Sequence, residues 1–360
     1  MDQIIKLQNW IKDLAPDGPL FIAGPCSAET REQVLNIAHQ LSGSKATIFR
    51  AGVWKPRTRP GSFEGVGEKA LKWLKQVKEE TGLKIAIEVA KPKHVELAVK
   101  YNIDILWIGA RSTVNPFTVQ ELADSLSGTD RIILVKNPIN PDLNLWIGAV
   151  ERLLQNGVNK LGVIHRGFSS YTVTNFRNQP NWQIPLDFKT RLPGIPMICD
   201  PSHICGNRES IEKVAQTALD LQYDGLMIET HHDPDLAWSD PDQQITPSAY
   251  KDLVNSLVVR EKQFRKSEFS EILDSLRQQI DNLDVRLIEI LNERMEKVEK
   301  IGLLKKDNNV AVFQQERFSD ILQRMLVQGE LSGLSDDFIN AIFREIHLES
   351  IRLQEKVFNS

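Results

Sequence analysis

The chain has 360 residues, a formal net charge of −4 and 41% hydrophobic residues. That length exceeds one average domain and fits two, or one large barrel with an added piece. The charged fraction of 26% is ordinary, so disorder is not the default reading, and the slightly acidic balance argues against a nucleic-acid binder. The distribution is uneven: all 17 Pro, all 7 Trp and all 3 Cys precede residue 261, and residues 261–360 hold three of the 20 Gly. Basic and acidic residues balance before residue 261, 29 against 29, and divide 15 against 19 after it. A hundred residues without Pro read as long helices, and the turn-rich first part as many short elements.

Three Cys make a disulfide framework unexpected and point to a reducing compartment. The charged N-terminus has no signal-peptide core, and no apolar run approaches the ~18 residues needed to span a membrane. The expectation is a soluble, cytoplasmic protein. About 19 residues precede the first apolar run, too few for a separate regulatory domain there.

In chain order, eight short apolar runs come first: LFIAG (20–24), ATIFRAG (46–52), KIAIEV (84–89), ILWIGA (105–110), IILVKN (132–137), KLGVIHRG (160–167), IPMICDP (195–201) and GLMIETH (225–231). They are continuous rather than alternating, as strands buried on both faces should be. Helical patterns lie between them, at Glu32–Leu41, Val66–Glu80, His94–Tyr101, Leu143–Leu154, Ser210–Leu221 and Ser248–Phe264. Strands alternating with helices over this length predict an α/β fold, a TIM (β/α)8 barrel, over residues 1–260. The polar stretch Ser169–Arg191 reads as a long functional loop. A linker follows at 261–267, and residues 268–360 form an all-helical domain.

In that domain Phe269, Ile272, Leu276, Ile280, Leu283, Leu287 and Ile290 make an apolar stripe on one helix from Glu268 to about Lys306, ~58 Å long. Shorter helices follow at about Gln314–Leu326 and, with Ser335 as N-cap, to near Val357. Three such helices cannot enclose a core alone, so the domain is expected to dimerise.

The active site of a TIM barrel lies at the carboxyl ends of its strands. Cys26, His203, Glu229 and Asp240 fall there and form a mixed sulfur, nitrogen and oxygen set suited to a divalent transition metal. Arg50, Lys55, Arg57, Arg111, Lys136 and Arg166 fall at the same end and imply substrates with several negative charges, because the arginine fork binds phosphate and carboxylate bidentately. A cysteine at a strand end is more often a small core residue. Cys199 is read that way, Cys205 is left undecided between that and an inert thiol, and for His165, His231 and His232 a structural role stays open.

The ordered set GPCS, KPRT, GAR, VKN, HRG, DPSH and SD over residues 20–260 resembles the type I 3-deoxy-D-arabino-heptulosonate 7-phosphate (DAHP) synthases. The resemblance implies condensation of phosphoenolpyruvate with erythrose 4-phosphate, the first step of the shikimate pathway. It implies Cys26, His203, Glu229 and Asp240 as metal ligands (Mn2+, Co2+, Zn2+ or Fe2+). Arg50, Lys55, Arg111, Lys136 and Arg166 would hold phosphoenolpyruvate, Arg57 and Thr58 the erythrose 4-phosphate phosphate, and Lys55 would donate a proton. Arg59 after KPRT, and the forms STVNPF, VKNP and SDPDQQ, depart from the commonest patterns.

Residues 268–360 resemble the all-helical chorismate mutases, in SLRQQIDNLDVRLIEILNER, IGLLK and IHLESIRLQ. The resemblance implies a chorismate or prephenate site of Arg277, Arg294, Lys305, Arg317 and Gln354, with Lys305 and Gln354 donating to the ether oxygen during the rearrangement. Arg294 and Lys305, eleven residues apart, fall within about 20° of one helix face. Arg277 lies seventeen residues before Arg294, ~25 Å away, so one small dianion cannot touch both from one chain, and Arg277 should serve a partner's site in a homodimer. Gln314 and Phe318 replace the carboxylates usual at two positions. The helical domain is expected also to sense prephenate or chorismate for the barrel. The alternatives are a 3-deoxy-octulosonate 8-phosphate synthase barrel, a Schiff-base aldolase using Lys136, and a non-catalytic regulatory and dimerisation role for the helices.

Overall fold

Continuous apolar strands bury both faces only when something covers each side, and here one face turns into a closed barrel while the other lies under helices. The structure is a computed structural model that describes residues 7–55, 61, 63–171, 175–261 and 268–359, the side chains of 268 and 269 excepted. The expectations for Arg57 and Thr58 lie outside those residues. The chain divides into two compact units between residues 262 and 263.

In the first unit β1 (Leu20–Gly24), β2 (Ile48–Arg50), β3 (Lys84–Val89), β4 (Ile105–Ile108), β5 (Ile132–Lys136), β6 (Leu161–His165), β7 (Met197–Cys199) and β8 (Gly225–Glu229) pair in sequence order and close on themselves. Every pairing is parallel, and β1 closes on β8 with Ile22 opposite Met227. All eight expected strands are present, each at or within its apolar run.

A short helix, α1 (Trp10–Leu14), precedes the barrel. Its Trp10 is buried against the inner residues, and the indole N–H donates to Leu161 O at 2.8 Å. A Cβ at Gly162 would come 2.9 Å from that indole, so the close approach of α1 requires the glycine. The outer layer is α2 (Arg31–Leu41), α3 (Glu68–Thr81), α4 (Pro92–Lys100), α5 (Ala110–Thr113), α6 (Pro116–Leu126), α7 (Leu143–Gln155), α8 (Gln183–Arg191), α9 (Pro201–Cys205), α10 (Ile211–Asp220) and α11 (Pro247–Ser256). Several starts follow the expected chemistry: Thr30, Asn115, Asp142 and Thr246 each accept a first-turn N–H.

The structure corrects two boundaries in this first unit. Ser169–Arg191 is not irregular throughout, because it ends in α8. That helix buries only Pro185 and Phe188, too few to mark a periodic face. The last barrel helix ends at Ser256 rather than Phe264. The chain then runs alongside α10, where the Gln216 amide accepts from Val258 N at 2.9 Å and donates to Val258 O at 3.0 Å. That side chain takes up backbone groups a longer helix would have satisfied itself.

The second unit holds α12 (Glu268–Asp307), α13 (Gln315–Leu331) and α14 (Asp336–Asn359). Ser335 accepts from Phe338 N at 3.4 Å, as expected of the cap. Gly302 on α12 lets α14 approach, since a Cβ there would meet Gln354 Cγ at 3.2 Å. Toward its N-terminal end α12 is open: Ile272, Ile280, Leu283, Leu287 and Ile290 are each more than half exposed.

Candidate active sites

Strand pleating places the barrel's polar groups. Ile22, Ile48, Ala86, Ile105, Leu134, Ile164, Ile198 and Met227 form the buried inner core, one from each strand. Two residues further along, on the same side of each strand, stand Gly24, Arg50, Glu88, Trp107, Lys136, Arg166, Asp200 and Glu229. One turn of the pleat separates an aliphatic layer from a charged one. Its sole position without a side chain, Gly24, has φ 144°, and a Cβ there would lie 2.1 Å from Arg50 O. Gly24→Ala is therefore expected to destabilise the barrel by about 2 kcal/mol or more, read as a lower midpoint in thermal unfolding. An unchanged midpoint would contradict the close approach.

The charged layer is internally paired. Arg50 Nη2 lies 3.0 Å from Glu229 Oε1, and Lys136 Nζ lies 2.8 Å from Asp200 Oδ2, with all four groups nearly inaccessible. Asp200 also meets His203 Nδ1 at 2.8 Å and so fixes that ring with Nε2 turned elsewhere. His203 Nε2 stands 3.8 Å from Glu229 Oε1. Burial holds the imidazole below its usual range, against the pull of Asp200. Burial pushes the Asp200 and Glu229 carboxyls up, but His203 first, then Lys136 or Arg50, bring both down on balance. Arg166 Nη1 donates to Asn178 Oδ1 at 2.6 Å, and burial lowers its guanidinium to about 10. Arg111 is exposed at the start of α5, close enough to Arg166 to add to that shift.

Of the four expected metal ligands, the structure brings together Cys26 with Asp240 and His203 with Glu229. Among the described residues no group of three His, Cys, Asp or Glu side chains converges as a metal would require. Cations pair with several of these donors instead. Cys26 Sγ accepts from Lys55 Nζ at 2.7 Å and donates to Asp240 Oδ2 at 3.1 Å, while Arg177 Nη1 meets Asp240 Oδ1 at 2.8 Å. Burial, reinforced by Glu229, pushes the Cys26 thiol up to about 12, which agrees with an S–H donor. Burial opposes the Asp240 carboxylate, but Lys55 and Arg177 hold it well below its usual range. The residues nevertheless fit a divalent transition metal. They offer a thiol, an imidazole oriented through its other nitrogen and two carboxylates, and the fully buried Glu229 Oε1 makes no hydrogen bond. Cys199 and Cys205 are free and buried, Cys199 as expected of a core cysteine.

Three groups here went unrecognised in the sequence. Arg177 also donates to Gln243 Oε1 at 2.7 Å, and Gln243 Nε2 donates to Glu229 Oε2 at 2.6 Å, so a loop arginine ties two expected ligands together. Asp200, inside DPSH, shares its carboxylate between Lys136 and His203. Position two residues past an inner aliphatic is the signal that would have found it.

In the second unit Arg294 Nη1 donates to Ser350 Oγ at 2.7 Å and Lys305 Nζ to Val312 O at 2.6 Å. Gln354 is buried, one turn beyond Ser350, with its Oε1 unbonded. Burial lowers the pKa of both Arg294 and Lys305. Phe318 stacks on His347 at 4.0 Å between centroids, and His347 feels both cations after burial itself. Arg294, Lys305 and Gln354 therefore gather on the facing sides of α12 and α14. Arg317 instead lines a shallow groove with Asp320, Gln323 and Val327 on α13. Arg277 is exposed, with Asp274 3.3 Å away as its ionic contact. Ser350 was missed, though it precedes Gln354 by one helical turn.

Comparison with known proteins agrees with this two-part geometry. Residues 7–263 match the family model described as DAHP synthetase I family, and residues 276–355 that described as chorismate mutase type II. A phospho-2-dehydro-3-deoxyheptonate aldolase of Thermotoga maritima is 29% identical over 236 residues, covering 66% of this chain and 68% of that protein. A 2-dehydro-3-deoxyphosphooctonate aldolase of Desulfatibacillum aliphaticivorans is 28% identical over 68% of this chain and 92% of its own. The crystal structure of the Thermotoga maritima DAHP synthase superposes with a TM-score of 0.60 at 27% identity, covering 71% of this chain and 70% of that one.

Proposed function

The chain belongs to the DAHP synthetase I family and carries a type II chorismate mutase domain behind its barrel, and from that premise we propose how its side chains serve the two reactions. The observation that supports the synthase reading most directly is the charged layer, in which Arg50, Lys136 and Arg166 stand on one rim. They and Arg111 hold the carboxylate and phosphate of phosphoenolpyruvate, while Arg57 and Thr58 take the phosphate of erythrose 4-phosphate. Two phosphorylated substrates repel one another, and fixed cations both cancel that repulsion and set the reacting carbons in line. C3 of phosphoenolpyruvate attacks the aldehyde carbon, water adds at C2, and phosphate leaves. Burial disfavours the Lys55 ammonium, but Cys26 and Glu229 raise its pKa on balance. Lys55 thus stays protonated and delivers its proton to the aldehyde oxygen as that oxygen becomes a hydroxyl. Cys26, His203, Glu229 and Asp240 would hold the divalent metal, which supplies Lewis acidity at that oxygen. Lys136 Nζ is held 2.8 Å from Asp200 Oδ2, an arrangement that favours this reading over a Schiff-base aldolase.

In the helical domain the rearrangement of chorismate to prephenate needs a compact dianion and donors for the ether oxygen rather than a nucleophile. Arg294, Lys305 and Gln354 supply these with Arg317, and Arg277 reaches the site of a second copy along the exposed stripe of α12. The protein is then a cytoplasmic homodimer, and prephenate bound at the helical site lowers synthase activity.

One assay series tests the set. Purified full-length protein is expected to lose at least ~100-fold of its synthase rate in chelator, to recover it with Mn2+, to prefer erythrose 4-phosphate over arabinose 5-phosphate, and to slow when prephenate is added. Full activity in chelator would sink the metal reading, and indifference to prephenate the regulatory one.

A further inference from the structure

The barrel's inner core is capped on its charged side by one aromatic residue that the mechanism above does not use. Trp107 is 1% exposed, and it belongs both to the aliphatic core below and to the charged layer above. The Arg50 Cζ lies 5.0 Å from the centroid of its ring, and the Lys136 Nζ lies 5.8 Å from the same ring. Two buried cations thus share one indole. Each already has its own carboxylate, Glu229 for Arg50 and Asp200 for Lys136. Those pairs settle the charges but leave open the direction in which each cation faces.

The ring itself is held. The Trp107 Nε1–H donates to Glu88 Oε2 at 3.0 Å. Glu88 Oε1 occupies space that is free because residue 109 is glycine: a Cβ there would lie 2.2 Å from it. A glycine on β4's extension seats a carboxylate from β3, the carboxylate fixes the rotation of an indole from β4, and the indole offers its face to cations from β2 and β5. Cation–π attraction is strongest where the cation is desolvated, as both are here.

We propose that Trp107 is a positioning residue of the phosphoenolpyruvate site, an indole platform locked by Glu88 that sets the spacing and direction of Arg50 and Lys136 for one dianionic substrate. The proposal rests on the assignment of those two cations to phosphoenolpyruvate, so R50K is measured alongside as a control on that assignment.

The test uses the full-length, metal-loaded enzyme and compares W107F, which keeps an aromatic face, with W107M, which fills the space without one. W107M is expected to raise KM for phosphoenolpyruvate roughly tenfold, with kcat and the KM for erythrose 4-phosphate within about threefold of the parent. W107F should recover most of the loss. Equal defects in both variants, an unchanged KM in folded W107M, or a parallel rise in both KM values would each overturn the platform role. Should W107M fail to fold by circular dichroism, E88L decides, because it removes the acceptor of the indole N–H: freeing the indole raises KM for phosphoenolpyruvate if the lock matters, and an unchanged KM ends the proposal. If R50K leaves that KM unaltered, the cation assignment has failed, whatever the tryptophan variants do.

Discussion

Arg50→Ala is expected to lower kcat/KM for the synthase reaction by roughly 10³-fold or more, since a charge-assisted contact to a dianion is lost inside a site shielded from water. The same change should cost about 3–5 kcal/mol of stability, the usual result of breaking a buried pair and leaving one charge behind. The charge left behind is Glu229, fully buried with its Oε1 3.0 Å from the missing guanidinium. The deficit has a defined pH dependence. In the parent, Glu229 titrates below its usual range, since His203 and then Arg50 and Lys55 outweigh burial. A depressed carboxyl contributes stability above its unfolded pKa and loses it as pH falls through the folded one. Without Arg50 that contribution shrinks and the carboxyl protonates more readily, so parent and variant should differ most near neutrality and converge in acid. Urea unfolding at several pH values measures this, and a gap independent of pH would remove Glu229 from the explanation.

Arg294→Ala should reduce chorismate mutase turnover by roughly 10²–10³-fold, the loss typical of one preorganised donor for developing charge. It should leave the synthase rate without effector within about twofold, because synthase chemistry resides in the other compact unit. Loss of chorismate absorbance follows one reaction and loss of phosphoenolpyruvate absorbance the other. Undiminished mutase turnover would remove Arg294 from the site. In the structure its guanidinium donates to Ser350, so Ser350→Ala should show a smaller defect of the same kind.

The barrel was readable because strands covered on both faces must be apolar without interruption, and these eight are. The charged rim was readable because it begins where each apolar run stops. Partnerships were less so. Asp200, Glu88 and Trp107 look like ordinary neighbours of conspicuous residues until the pleat register shows which strand-end groups point inward. Arg177 sits in a loop, where spacing carries no geometric information, and only the closed fold brings it to Asp240, 63 positions away. The four expected ligands were legible as a set of types, whereas their arrangement as two pairs depends on how nearby cations distribute among buried anions. Phe318 was visible as a departure, but its stacking on His347 depends on how α13 meets α14.

The single pleat separating the aliphatic layer from the charged layer divides labour within every strand. The residue that packs the barrel interior and the residue that carries a charge at its rim are different positions with different tolerances. Exchanging a charge in the charged layer leaves the packed layer beneath with its volume unchanged. Such a scaffold can exchange charges at the rim without repacking the layer beneath. Position 24 is the exception, since its missing side chain belongs to the pairing of β1 with β2, and it would have to survive any such change.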